Sequence, residues 1–313
     1  MPTLRRLLLW LPLLLPMLAT AASFDCSKAA TATEQAICRQ PELSALDEQV
    51  AAAYRQHNQQ GLLQDNQRQW LAGPRAECKA DGACLQGRYQ ERLAQLQHAQ
   101  LVRQQIDNAM PAYRFDITLL DWGERDWAAE GPAIINIIDQ RSQQRIQQLR
   151  LDNVHMARGD NGKPLVNSAR LYDLQGVINA ADFDFDGHID FAVQNGNDGP
   201  YGGPTYRVYL YDTARKQFVF NDELSTLTEE NLGLFQVDAK RKRLRTFAKS
   251  GCCYHETTDY QFDARHHLQA VERLIEDAQD PEGKQVRVTR ETLVNGRWKT
   301  STRRYALDAY YHQ

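Results

Sequence analysis

At Met110-Pro111 the apolar residues of this chain change their spacing, and no single kind of secondary structure can serve both sides of that point. Ahead of it they recur at helical intervals: Leu43, Leu46, Val50 and Ala53, then Leu62, Leu63, Trp70 and Leu71, then Leu85, Tyr89, Leu93 and Leu96. Thr31-Ala32-Thr33-Glu34 has the spacing of a capping box and precedes Ala36 and Ile37, which marks a helix start. From Tyr113 onward the period is two, with Val, Ile, Tyr and Phe frequent and Gly, Asn and Asp between runs. A proline disfavours helix at the residue before it, so Met110-Pro111 is a natural boundary. The expected fold class is α+β in two domains. A small disulfide-linked helical domain spans residues 23–108, and an antiparallel β domain spans residues 111–313.

Within the second segment a turn element repeats. Ile138-Asp139-Gln140-Arg141, Tyr211-Asp212-Thr213-Ala214-Arg215, Val237-Asp238-Ala239-Lys240 and Phe262-Asp263-Ala264-Arg265 each stop one strand and start another. A further hairpin turns at Asn295-Gly296, the pair preferred in a type I′ turn. Repeated hairpins of this kind build a propeller-like domain, with few residues for a full ring, or a β-sandwich.

Residues 182–190 read Asp182-Phe183-Asp184-Phe185-Asp186-Gly187-His188-Ile189-Asp190. Carboxylates at alternate positions, with a glycine to permit a sharp turn, are what a hard cation such as calcium needs from a short loop. Asp182, Asp184 and Asp186 supply the first oxygens, and His188 sits where such loops give a backbone carbonyl. Position twelve is Val193 rather than the glutamate of an EF-hand, so Asp190 at position nine closes the site. The shorter pattern, followed by Phe191, Ala192 and Val193, suits a loop between strands. Without a cation, four crowded carboxylates would repel one another, which weighs against a plain acidic surface turn. The expected cofactor is a structural calcium.

The first 22 residues have the form of an export signal: Arg5 and Arg6, an apolar run from Leu7 to Leu18, and small residues at Ala19-Thr20-Ala21-Ala22. That run is too short and proline-interrupted for a comfortable membrane span. Asp25 before Cys26 argues against lipidation, so a soluble periplasmic protein is expected. Removing Arg5 and Arg6 leaves 35 Lys and Arg against 40 Asp and Glu, a net charge of about −5 that argues against nucleic acid as a partner. All six cysteines, Cys26, Cys38, Cys78, Cys84, Cys252 and Cys253, follow the signal, and an even count in an exported chain points to disulfides. The first four can pair as Cys38–Cys78 with Cys26–Cys84, or as Cys26–Cys38 with Cys78–Cys84. Cys252 and Cys253 are adjacent. A bond between them would close a small, stiff ring directly before Tyr254, the alternatives being bonds to the helical domain or free thiols.

Two resemblances follow from these strings. Phe24-Asp25-Cys26, Thr33-Glu34-Gln35-Ala36-Ile37-Cys38, Pro41-Glu42-Leu43-Ser44-Ala45-Leu46-Asp47, Gln67-Arg68-Gln69-Trp70-Leu71 and Cys78 with Cys84 make residues 24–98 similar to the N-terminal domain of LprI-type lysozyme inhibitors. The acidic loop, Gly203-Pro204-Thr205-Tyr206-Arg207-Val208-Tyr209 and Ser250-Gly251-Cys252-Cys253-Tyr254 make the β segment resemble exported immunity proteins. Those proteins protect bacteria from peptidoglycan hydrolases delivered by type IV secretion systems. The acidic loop is also similar to the calcium-bearing blades of FG-GAP propellers. Ser250-Gly251-x-x-Tyr254 has the form of the loop with which periplasmic inhibitors of C-type lysozyme enter the catalytic cleft. Such a cleft holds two carboxyl groups, which a serine hydroxyl, exposed amides beside a glycine and a tyrosine hydroxyl can hydrogen-bond.

The resemblances together imply an inhibitor of lysozyme-like peptidoglycan hydrolases, not an enzyme, with Ser250, Gly251 and Tyr254 as the inhibitory loop. The rival is a calcium-dependent envelope binding or adhesion module, which a similar fold could equally carry. Other strings carry less. His255-Glu256-Thr257-Thr258-Asp259 lacks the second histidine of a zinc protease. Trp122 and Trp127 could line a glycan site but are better expected in the core, and the basic run from Lys240 to Arg245 on a solvent face.

Overall fold

A computed structural model describes residues 22–311, so the export signal lies outside the described residues except for Ala22. The chain divides into two compact units, one formed by the chain up to residue 56 and by residues 67–97, the other by residues 57–66 and the chain from residue 98 onward.

The first unit is helical. Its elements are α1 (Ala32–Arg39), α2 (Pro41–His57), α3 (Gln64–Ala72), α4 (Pro74–Glu77) and α5 (Gly82–His98). The capping box at the start of α1 forms as expected: the Thr31 side chain accepts from the Glu34 N–H, and Glu34 accepts from the Thr31 N–H. Ile37, Leu43, Val50, Leu85, Tyr89 and Leu96 are buried at helical spacing. Asp47 is buried with them, its carboxylate accepting from the Tyr89 hydroxyl at 2.6 Å and from the Ser23 N–H and hydroxyl at 2.7 and 2.6 Å. Three donors compensate the desolvation of that charge. The disulfides are Cys26–Cys38 and Cys78–Cys84, so each ties a local loop.

The second unit is three antiparallel meanders in which strand order follows chain order, and among the described residues no sheet closes into a barrel. Sheet 1 holds β1 (Gln100–Ile106), β2 (Tyr113–Asp121), β3 (Ala128–Asp139) and β4 (Arg145–Ala157). Sheet 2 holds β5 (Ile178–Ala181), β6 (Asp190–Gly199), β7 (Gly203–Asp212) and β8 (Gln217–Asn221), and α6 (Asp222–Glu230) follows it. Sheet 3 holds β9 (Gln236–Asp238), β10 (Arg243–Ser250), β11 (Tyr254–Phe262), β12 (Leu268–Asp277), β13 (Gln285–Val294) and β14 (Arg297–Ala306), with α7 (Leu307–Tyr311) last.

Sheet 2 is apolar on both faces because successive residues of β6 point opposite ways. Phe191 and Val193 pack with Phe115, Ile117, Ile135 and Val154 of sheet 1, with the Phe115 and Phe191 rings 4.9 Å apart. Ala192 faces the other side, where Tyr206 and Val208 meet Leu224 and Leu227 of α6, Phe235 and Leu244. Truncating Phe191 to alanine would cost about 3–5 kcal/mol. Gly131 in β3 is required by close approach, since a Cβ there would run into the Leu120 carbonyl oxygen.

The repeated aspartates explain the hairpins. Asp139 Oδ1 accepts from the Ser142 N–H, Asp212 Oδ1 from those of Ala214 and Arg215, Asp238 Oδ1 from that of Arg241, and Asp263 Oδ1 from those of Arg265 and His267. Each carboxylate closes its own turn. Asn295 and Gly296 both adopt positive φ, 52° and 73°, as a type I′ turn requires.

Two expectations are corrected. Residues 100–106, placed in the helical domain by the 23–108 boundary, form β1 and pair with β2 from Gln100↔Asp121 to Ile106↔Phe115. Their polar composition continues that of α5 and hides a strand whose partner is supplied by the sheet. Trp127, expected in the core, is 46% exposed, because the irregular stretch ahead of β3 carries it outward.

Candidate functional site

β10 and β11 are joined by three residues, Gly251, Cys252 and Cys253, and the register pairs Ser250 directly with Tyr254. Residues directly opposite on an antiparallel ladder leave the same face, so the serine and tyrosine stand side by side at the hairpin tip. Ser250, Gly251 and Cys252 are exposed and Tyr254 is partly buried. Gly251 adopts φ 64°, a conformation that costs glycine little. Cys252 and Cys253 are bonded to each other, their Cα atoms 3.7 Å apart.

Two contacts fix this tip from outside. The Gly251 N–H donates to the Tyr201 hydroxyl at 2.6 Å, and the Cys253 carbonyl accepts from the Ala278 N–H at 2.7 Å. The Lys249 ammonium lies 4.9 Å from the Tyr172 ring centre and 4.6 Å from that of Tyr201. Cation–π attraction therefore holds the penultimate residue of β10 against the same tyrosine. Burial raises the Tyr254 hydroxyl above its ordinary range, with Glu256 adding to the effect, so the phenol stays a neutral donor.

The acidic loop joins β5 to β6. Carboxylate oxygens of Asp182, Asp184 and Asp190 all lie within 4.8 Å of one another. Backbone donors shape the loop: the Asp186 and Gly187 N–H groups reach Asp182 at 3.1 and 3.0 Å, and Asp186 N–H also reaches Asp184 at 3.2 Å. Asp190 is 1% exposed and accepts from the Phe183 and Tyr211 N–H groups at 2.7 and 2.9 Å. Burial pushes its carboxyl up to about 7, and Asp184 is raised by burial and by the charge of Asp186. Asp186 itself turns back, accepting from the His188 N–H at 2.8 Å, and the exposed His188 ring stacks near Tyr211.

These residues fit a hard cation. Three carboxylates converge, and among the described residues no lysine or arginine pairs with them. Phe185 at φ 62° and Gly187 at φ 95° bend the backbone inward between the ligands. The structure gathers Asp182, Asp184 and Asp190, while one carboxylate oxygen of Asp186 accepts from the His188 N–H and shapes the turn.

The basic run is not a solvent face alone. Arg245 donates to Asp259 at 2.6 and 3.0 Å, while Arg241 and Arg243 each lie 3.3 Å from it and also reach Glu272. Arg243 and Arg245, at alternate positions of β10, share one face of the strand, Arg241 reaches in from the turn before it, and Asp259 on β11 is buried beneath them. Burial opposes ionisation of Asp259, but the Arg245 hydrogen bonds and neighbouring charges outweigh it and hold the carboxyl below its usual range. Tyr172 and Lys249 carry no signal in the sequence, and Tyr201-Gly202-Gly203 reads there only as a flexible loop beside the acidic site that could extend its coordination or the partner surface.

Residues 26–109 match the family described as Lysozyme inhibitor LprI. Over 80 residues the chain is 36% identical to Lipoprotein LprI of Mycobacterium bovis and of Mycobacterium tuberculosis, a stretch that is 24% of this chain and 40% of those relatives' length. The solved structure of a Xanthomonas type IV secretion system related protein is similar with a TM-score of 0.51 and 25% identity, over 65% of this chain and 93% of that one. The helical unit is too small to hold a match of that size, so most of it falls on the β unit. An LprI-type helical domain is thus followed by a β domain of a kind found in a secretion-related protein.

Proposed function

We propose that this protein is an exported, periplasmic inhibitor of lysozyme-like peptidoglycan hydrolases, acting by binding and not by catalysis. The hairpin from Ser250 to Tyr254 enters the hydrolase cleft. There the Ser250 and Tyr254 hydroxyls and the backbone beside Gly251 hydrogen-bond the catalytic carboxyl groups. The observation that carries this reading is the hairpin itself: Ser250 and Tyr254 are cross-strand partners on a tip closed by the Cys252–Cys253 bond and anchored by Tyr201. A tip held in one conformation loses less entropy on docking. Calcium held by Asp182, Asp184 and Asp190, with the His188 carbonyl and Asp186 as further oxygens, locks the turn between β5 and β6. Its role is structural.

The LprI match of the helical domain supports an inhibitory role, and the secretion-related neighbour supports immunity against a delivered hydrolase. Among the described residues no helix is long and apolar enough to cross a membrane. The test is clearing of a peptidoglycan suspension by a panel of lysozymes and lysozyme-fold toxin domains, with calcium present. Inhibition that is lost in Tyr254→Ala and weakened in Tyr254→Phe is expected, with melting temperatures showing each variant folded. Failure to inhibit any panel member would sink the reading in favour of an envelope binding module.

A further inference from the structure

Exposed large apolar side chains are not scattered over this protein. Of ten among the described residues, five (Trp127, Leu171, Tyr172, Leu174 and Tyr201) line one cavity of about 250 Å³ on the β unit. Clustering of this kind marks a binding site, whereas isolated exposed apolar residues are ordinary. Tyr172 is 70% and Tyr201 62% exposed even with Lys249 against them.

The lining beneath these rings is polar and buried. His155 and Gln194 are each 2% exposed and both line the cavity, as does Asn197. His155 Nδ1 lies 2.9 Å from a Glu130 carboxylate oxygen and 3.2 Å from the Asn197 amide nitrogen, so that side of the ring is occupied and Nε2 is its other hydrogen-bonding atom. Gln194 Nε2 donates to Asn197 at 3.2 Å, but Gln194 Oε1 is buried with no hydrogen-bond partner among the described residues. An unpaired buried amide oxygen is costly, and such atoms in folded proteins call for an explanation. The lining itself carries one carboxylate, Asp173, and no lysine or arginine, while the Lys249 ammonium sits against the Tyr172 and Tyr201 rings and the Arg125 guanidinium 5.7 Å from the Trp127 ring centre.

Aromatic faces above neutral amides and an imidazole match one ligand chemistry closely. A sugar ring has an apolar C–H face that stacks on aromatic rings and an edge of hydroxyls that amides and imidazoles can bond. We propose that this cavity binds one uncharged sugar ring, stacked against Trp127 and Tyr172 with its hydroxyl or acetamido groups turned toward His155, Gln194 and Asn197. Recognition of a sugar goes beyond inhibition; the choice of N-acetylhexosamine as the leading candidate rests on that reading, since it is the repeating sugar of the target's substrate.

Saturation-transfer NMR with N-acetylglucosamine, and with glucose as a second probe, tests this on the calcium-loaded full-length mature protein. Saturable binding with a dissociation constant on the order of 1 mM is expected for N-acetylglucosamine. Trp127→Ala and Tyr172→Ala should each weaken it at least about tenfold, and Tyr254→Ala should leave it unchanged. Tyr172 is so exposed that its removal leaves the fold intact, which circular dichroism would check. No saturable binding of either sugar, or binding that survives both ring removals, would overturn the proposal. Sugar binding without hydrolase inhibition would sink only the inhibitory reading, and inhibition without sugar binding would sink only this one.

Discussion

Tyr201 and Gly251 lie 50 residues apart, and the Tyr201 phenol oxygen accepts a 2.6 Å hydrogen bond from the Gly251 N–H. One side chain from the loop before β7 thereby fixes the backbone of the hairpin tip on a different sheet. Tyr201→Phe removes the acceptor and keeps the ring. A neutral hydrogen bond contributes about 1 kcal/mol, so hydrolase inhibition should weaken roughly fivefold in a dose–response assay. Melting temperature should move by no more than a few degrees.

Cys252 and Cys253 close the same tip covalently. Replacing both with serine frees the turn while leaving the strands on either side intact. Inhibition should weaken by about tenfold, corresponding to roughly 1.4 kcal/mol of added ordering on docking. The loss should appear as faster dissociation in surface plasmon resonance. Unchanged dissociation would mean that the anchoring by Tyr201 and Ala278 suffices.

Calcium should raise the melting temperature. A cation at 100 times its dissociation constant stabilises the fold by about 2.7 kcal/mol, which is about 5–10 °C for a domain of this size. Scanning calorimetry with calcium and with a chelator measures the difference directly. Asp184→Asn should reduce it, because one of the three converging carboxylates is neutralised. An identical melting curve in both conditions would count against the metal site.

Glu130 should govern part of the acid response. Its carboxyl is lowered to about 2 by the His155 hydrogen bond, which outweighs burial, with help from Asn153, the His155 charge and Arg125. A depressed carboxylate stabilises the fold above its ordinary pKa, and that contribution is lost as pH falls from about 4.5 toward 2. Because the Glu130 side chain is 21% exposed, solvent screening reduces the contribution to about 1–2 kcal/mol. Glu130→Gln should therefore flatten the decline in urea-unfolding stability across that window. A parallel decline in both proteins would show that other carboxylates dominate.

What the sequence made legible was local. The change of period at Met110-Pro111, the capping box at Thr31 and the turn aspartates act on neighbours a few residues away, so their spacing carries their structure. The acidic loop and the Ser250–Tyr254 pair were legible for the same reason. β1 was not, because Gln100-Leu101-Val102-Arg103-Gln104-Gln105-Ile106 becomes a strand only through pairing with β2. Tyr201 with Gly251, Glu130 with His155 and Arg245 with Asp259 join residues 50, 25 and 14 apart. Those meetings depend on the ladders and on how the sheets lie, and no spacing along the chain announces them.

Among the described residues, every ladder between strands joins consecutive strands. Short loops cost little entropy to close, so each sheet can assemble as soon as its own stretch of chain is available. A chain delivered N-terminus first through a narrow pore need not wait for its last residues: sheet 1 can be complete before β5 emerges, and the disulfides of the helical unit can close earlier still. The architecture suits vectorial folding, with the Ser250–Tyr254 hairpin forming after sheets 1 and 2.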